Sequence, residues 1–171
     1  MDAKTVLTDA ATRPVGAARA VLDGISVEVL HTMPGGNSIA WLVWHAARQM
    51  DVQLSDLGGG EQVWTSGDWG SRLGLQRDAD SFGFGDSPGD VARTTVEDAS
   101  VLGDYLAAVV AALIGYVEGL SETDLDDVVD TGWDPPVTRG VRLVSLIDDA
   151  AVHVGQAAYV RGIVEGWRIG F

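Results

Sequence analysis

The chain has 171 residues and no cysteine, so disulfides, thiolate ligands and a cysteine nucleophile are excluded. Its 25 acids against 11 bases give a formal charge of −14, which repels phosphate backbones and disfavours DNA or RNA as a partner. The length suits one domain over 1–171 with a sizeable core, and no run of 18 uncharged apolar residues offers a membrane span. Met1-Asp2-Ala3-Lys4-Thr5 lacks the basic-then-apolar form of a signal peptide, so a cytoplasmic protein is expected. Lys4 is the only lysine among many arginines, a bias that suggests a GC-rich, actinobacterial-type genome.

Apolar spacing predicts a first helix from about Thr8 to Leu22, with Pro14 in its first turns and Asp23-Gly24 ending it. Ile25 to Met33 reads as a short connection, with His31 on the surface. Pro34-Gly35-Gly36 breaks the chain, Asn37 or Ser38 can cap, and a second helix follows from about Ser38 to Leu57. Gly58-Gly59-Gly60 stops it. Glu61 to Pro88 is irregular and carries Trp64, Trp69, Phe82 and Phe84, with a short helix expected over Gln62 to Gly70. Long loops in compact domains are often functional, and this one is expected to lie over the open end of a bundle. Thr94-x-x-Glu97 reads as a capping box opening a third helix that runs to about Tyr116 or Glu118. Ser121 to Asp127 is an acidic turn, Val128 to Thr138 is extended, and a fourth helix covers about Gly140 to Glu165. The expected fold is all-α: a four-helix bundle with a long crossover between helices two and three.

The chemistry concentrates on helices two and four. Asp149 and His153 are four apart, so they leave the same helix face about 40° and one turn apart. Gln156 and Val160 continue that stripe. His45 lies inside the apolar run of helix two. A carboxylate and an imidazole among apolar residues are costly unless paired, either with each other or with a divalent metal. Trp41, one turn before His45, can wall such a site, and Trp44 points towards core or interface. Trp64 and Trp69 are candidates for covering a pocket or simply for anchoring the loop. Gln156 can orient a ligand or bound water, Arg48 can meet a substrate carboxylate, and Gly155 can permit close helix approach. The acidic run Glu122 to Asp127 lacks the spacing of a calcium loop. No Gly-x-Ser-x-Gly elbow and no phosphate-binding glycine loop is present.

The Ser-Ile-Ala-Trp-Leu-Val-Trp-His45 helix, the Trp133-Asp134-Pro135-Pro136 turn and His153-Val154-Gly155-Gln156 together resemble the DinB-like four-helix-bundle superfamily. The likeness is closest to its actinobacterial branch of mycothiol-dependent transferases and maleylpyruvate isomerase relatives. Members typically hold one divalent metal through a His on the second helix and a His-x-x-x-His pair on the fourth. Carried over, the resemblance implies His45, Asp149 and His153 as ligands, with Asp149 standing where the family has a His. A carboxylate oxygen is a competent ligand, so zinc or nickel is expected first, with manganese or iron also compatible. The resemblance further implies transfer of a low-molecular-weight thiol, such as mycothiol, to an electrophilic small molecule. Hydrolase or isomerase chemistry at the same site and a non-catalytic, ligand-binding or structural dimer are the alternatives. A homodimer is expected because Leu143, Val144, Leu146, Ile147, Ala150, Ala151, Val152 and Val154 circle most of helix four.

Overall fold

The structure is a computed structural model that describes residues 2–58 and 60–170. Helix α1 spans Ala3–Leu22 and begins earlier than the apolar pattern suggests. Asp2 caps it, its carboxylate accepting the Thr5 N–H at 2.8 Å. Pro14 therefore lies well inside α1 and not in its first turns. Its ring joins the inward stripe of Leu7, Ala11, Ala18 and Val21. The expected connection after α1 contains a short helix, α2 (Val27–His31), capped by Ser26. His31 is not a free surface residue. Its Nε2 accepts the Val96 N–H at 3.0 Å and fastens the approach to a later helix.

Helix α3 (Ile39–Gly58) matches the second expected helix. Every residue from Ser38 to Asp51 is buried, which two bundle neighbours alone do not achieve. The crossover closes the remaining side. It contains α4 (Val63–Ser66), α5 (Trp69–Leu73) and α6 (Pro88–Ala92). The single short helix expected over Gln62 to Gly70 is split because Asp68 adopts a left-handed conformation at φ 50°. The Thr94 capping box does not form. Thr94 is buried and its hydroxyl accepts from Arg77 Nη2 at 2.8 Å, so it has no part in a helix start. Helix α7 spans Ala99–Gly119 and is capped by Asp98. A reciprocal capping box does occur earlier, between Ser87 and Asp90 at the start of α6.

A 3₁₀ turn at Thr123–Asp126 leads into a small antiparallel hairpin, β1 (Val128–Asp130) with β2 (Val137–Thr138). Helix α8, Arg139–Glu165, starts on a Thr138 cap. The long helices form the bundle: α3 packs against α7 and α8, and α1 packs against the same two from the other side. Helix α7 is long and apolar enough to cross a membrane by length and composition alone. Here its inner face, with Leu102, Tyr105, Leu106, Val109 and Leu113, is part of the bundle core. Arg161 closes the α1 end of the bundle, donating to the carbonyls of Val21 and Asp23 at 2.8 Å each. Those acceptors are the orphan carbonyls of a helix C-terminus.

Candidate metal centre

The α3–α8 contact sets the site. His45 projects from α3 towards the α8 face that carries Asp149 and His153, and one ligating atom from each lies within 4.8 Å of the others. The imidazoles meet edge to face, with centroids 4.5 Å apart and planes at 85°. His153 Nε2 is 3.5 Å from Asp149 Oδ1. Two donors bound tetrahedrally to one metal at zinc–ligand distances are about 3.4 Å apart, so this edge already has the required length.

The groups behind the ligands decide which nitrogens face inwards. The Nδ1–H of His45 donates to the carbonyl of Phe82 on the crossover. The Nδ1–H of His153 donates to Gln156 Oε1 at 2.9 Å. Both rings are thereby held in the tautomer that leaves Nε2 as a lone-pair donor, the usual role of groups behind a metal ligand. Burial holds the His45 pKa below the ordinary imidazole range, with the Phe82 hydrogen bond opposing it. The hydrogen bond to Asp149 raises that of His153, with burial opposing. His45 is 8% exposed, whereas the Asp149 side chain is 42% exposed, so the centre is shut on the α3 side and open on the α8 side.

Crossover residues wall the closed side. Trp41 stacks flat on His45 at 4.7 Å, as its spacing suggests, and its indole N–H donates to Asp86 at 2.8 Å. Asp86 is held in turn by Arg77 at 2.9 Å, whose guanidinium lies 4.6 Å over the Trp44 ring. Gly83 has φ 92°, and a Cβ there would meet Trp41 and Trp44 at 3.0 Å and His45 Nδ1 at 3.1 Å. Only glycine lets the loop backbone come close enough to fix His45. Trp64 and Trp69 do not cover the site. Both are buried against Tyr105 of α7, at 5.5 and 5.2 Å, and act as anchors of the crossover.

Arg48 does not reach a substrate. It is 0% exposed, and its five N–H groups are directed to Ser81 O, Asp51, Tyr105, Gln62 and Ala79 O. Gly155 does not mediate close packing either, because its missing Cβ would point into open space. Gln156 contacts the candidate ligand His153 through the hydrogen bond to its Nδ1. A cavity of about 780 Å³ beside Arg77, Asp86 and Arg93 abuts the crossover, but none of the three candidate ligands lines it.

Sequence reasoning missed the Phe82 carbonyl, Gly83 and Asp86. A backbone acceptor leaves no mark in the side-chain pattern. The available signal was glycine on both sides of Phe84, at Gly83 and Gly85.

Comparison with known proteins fits this fold. The family model of the DinB superfamily matches residues 13–157. The chain belongs to the DinB superfamily. A crystal structure described as the conserved protein of locus from Enterococcus faecalis is similar over 98% of this chain and 99% of that one. It has 36% sequence identity and a TM-score of 0.88. No curated protein matches the chain. Within this superfamily member the His45–Asp149–His153 group is compatible with a divalent metal, and the all-α bundle is as expected.

Proposed function

We propose that the protein is a metal-dependent enzyme that transfers a low-molecular-weight thiol to an electrophilic small molecule. The observation that carries this reading is the pair of imidazoles whose Nδ1–H groups are tied to the protein. One ligating atom of each ring and an Asp149 oxygen lie within 4.8 Å of one another, at a half-open position. Two imidazoles and one carboxylate fit zinc or nickel and leave room for an outside ligand, unlike a closed structural site. A divalent metal bound there would supply the Lewis acidity that makes a thiol a thiolate at neutral pH.

The chain contributes no cysteine, so the sulfur comes from a cosubstrate. His45, Asp149 and His153 hold and orient the centre, Phe82 and Gln156 fix the rings, and Trp41 excludes water from the closed side. In the transfer, the thiol proton goes to solvent and a carbon–sulfur bond forms at the electrophile. The electrophile's leaving group departs with its electron pair. The similar structure comes from Enterococcus faecalis and its description names no activity. The thiol is therefore proposed by class, with mycothiol as its actinobacterial instance.

A metal-free binding protein is the second reading, favoured by the Asp149–His153 contact, which already pairs the two groups. Elemental analysis of protein purified without a metal-affinity tag separates the two. Stoichiometric metal, lost in His45→Ala with the fold retained, supports the enzyme. Metal-free protein that takes up none on zinc or nickel addition supports the second reading. Conjugation of a chromogenic electrophile by thiols then tests transfer, and turnover with water alone would identify a hydrolase instead.

The proposed partner is a second copy of the chain. Along α8, Leu143, Leu146, Ile147, Ala150 and Val154 face inwards, while Val141, Val144, Val152, Tyr159 and Ile163 are exposed on the opposite face. Light scattering that returned twice the 18.0 kDa chain mass would support a two-fold dimer, and a concentration-independent monomer would overturn it.

A further inference from the structure

Helices α3 and α8 pack largely through apolar side chains, and apolar contact has no preferred direction along a helix axis. Sliding one helix past the other by a single residue moves it about 1.5 Å. A ligand set drawn from both helices has to be held to about 0.5 Å, so it needs a directional contact beside it. Among the described residues, two side-chain hydrogen bonds join α3 to α8. Both belong to one line of groups, and the line starts one turn from His45.

Gln49 lies four residues after His45, on the same face of α3. It is 2% exposed, and its amide nitrogen donates to the carbonyl of Ala46 at 3.2 Å and to that of Leu146 on α8 at 3.1 Å. Within a helix the Leu146 oxygen also accepts the N–H four residues on, that of Ala150, so Gln49 grips α8 at the turn that carries Asp149. The Gln49 oxygen accepts from Gln53 Nε2 at 2.9 Å, and the Gln53 oxygen accepts from Arg142 Nη1 at 3.1 Å. Arg142 Nη2 pairs in turn with Asp130 of β1 at 2.7 Å.

The cation at the end gives this line its direction. A guanidinium only donates, so Gln53 must turn its oxygen to Arg142 and its nitrogen to Gln49. That leaves Gln49 with its oxygen towards Gln53 and its nitrogen towards the two carbonyls. Neither amide can flip without losing a bond. With its two hydrogens taken, Gln49 has none to offer a ligand and serves the centre only through the helices it joins.

We infer that Gln49 is a positioning residue of the metal centre: by bridging Ala46 and Leu146 it fixes the register of α3 against α8 at which His45 meets Asp149 and His153. This rests on the proposed metal centre and adds the element that holds its two halves in line. Gln53 and Arg142 keep the Gln49 amide in its working orientation.

The test uses the full chain and cobalt(II), whose visible absorption reports the geometry of its ligands. Affinity and spectrum are measured for the wild type, Gln49→Met, Gln53→Met and Leu113→Ala, together with urea unfolding of each metal-free protein. Gln49→Met keeps the length of the side chain and removes its hydrogen bonds. Leu113→Ala loosens the core from α7 and leaves the line intact. Gln49→Met is expected to bind cobalt about tenfold more weakly with an altered spectrum, and Gln53→Met about threefold more weakly. Leu113→Ala should keep the wild-type affinity and spectrum although its urea midpoint falls. Wild-type affinity and spectrum in Gln49→Met would overturn the inference. Affinity that simply follows stability across all the variants would overturn it too, marking Gln49 as core packing alone. If Gln49→Met does not fold, unchanged cobalt affinity in Gln53→Met decides against the inference and a loss there supports it. A wild type that takes up no cobalt would strike the metal centre itself, and the inference with it.

Discussion

His45 and Arg48 stand three residues apart on α3, and their surroundings differ in kind. Arg48 belongs to a sealed network. It pairs with Asp51 at 3.1 Å and meets Tyr105 at 3.1 Å, while Asp51 also accepts the Val63 and Trp64 N–H groups at 2.8 Å each. That carboxylate thus caps α4 from a neighbouring helix, a role its own N-cap residue Gln62 does not fill. Tyr105 donates to the same carboxylate at 2.6 Å, and burial pushes its phenol pKa upwards. Here the donors and acceptors are matched inside the protein. At the candidate centre the Nδ1 atoms of His45 and His153 are matched by Phe82 and Gln156, and each ring keeps its Nε2 without such a partner behind it. The lesson is that a buried polar group with all its valences met is scaffold, whereas one held rigid with a valence left over can bind a ligand.

The largest way to break this contrast is Asp51→Ala. Removing one partner of a buried ion pair leaves the other charge unmatched, and a loss of about 3–5 kcal/mol in unfolding free energy is expected. Urea denaturation measures it, and a loss below about 1 kcal/mol would show the network to be dispensable. Such a change should release the crossover as well, because Asp51 holds α4. Next in size is Gln156→Ala, at the open centre. It should weaken zinc binding about 10- to 100-fold, the usual cost of removing a group behind a ligand, with little change in stability. Competition with a chromogenic chelator reads this, and unchanged affinity would separate Gln156 from the site.

Acidity sharpens the comparison further. His153 has a raised pKa, so its charged contact with Asp149 stabilises the metal-free fold below the ordinary imidazole value of about 6.5. That contribution fades as pH rises through the raised value. His45 has a depressed pKa and works in the opposite sense: its contribution is present above the ordinary value and is lost as pH falls through the lowered one. Zinc competes with a proton more strongly at His153, whose pKa is raised, than at His45, whose pKa is lowered. Proton release per zinc should therefore persist to higher pH for His153 than for His45, measured by calorimetry across a pH series in two buffers of different ionisation enthalpy. Release that fades in a single step common to both rings would contradict the assigned asymmetry. The smallest expected effect lies outside both clusters. Gly155→Ala, on an exposed helical position with free space around the new methyl, should raise stability by about 0.5–1 kcal/mol. Thermal denaturation would reveal a loss instead if Gly155 were needed at a contact.

What could be read from the chain alone follows from local rules. Helical periodicity placed α3 and α8 nearly to the residue, and the four-residue spacing of Asp149 and His153 put both on one face because the helix pitch requires it. Their meeting with His45 was legible only through resemblance to a family, since nothing local links residues so far apart in the chain. The misreadings share one cause. Thr94 had the pattern of a cap, Arg48 that of a ligand contact and His31 that of a surface residue, but each found a distant partner across the fold. Pro14 sat mid-helix because an upstream Asp2 cap extended α1 beyond its apolar stripe. Sequence determined which segments are helices and which side chains share a face. Tertiary structure decided which of the buried polar groups are satisfied, because that depends on backbone carbonyls and loop approaches, such as Phe82 over His45, that exist only once the crossover is packed.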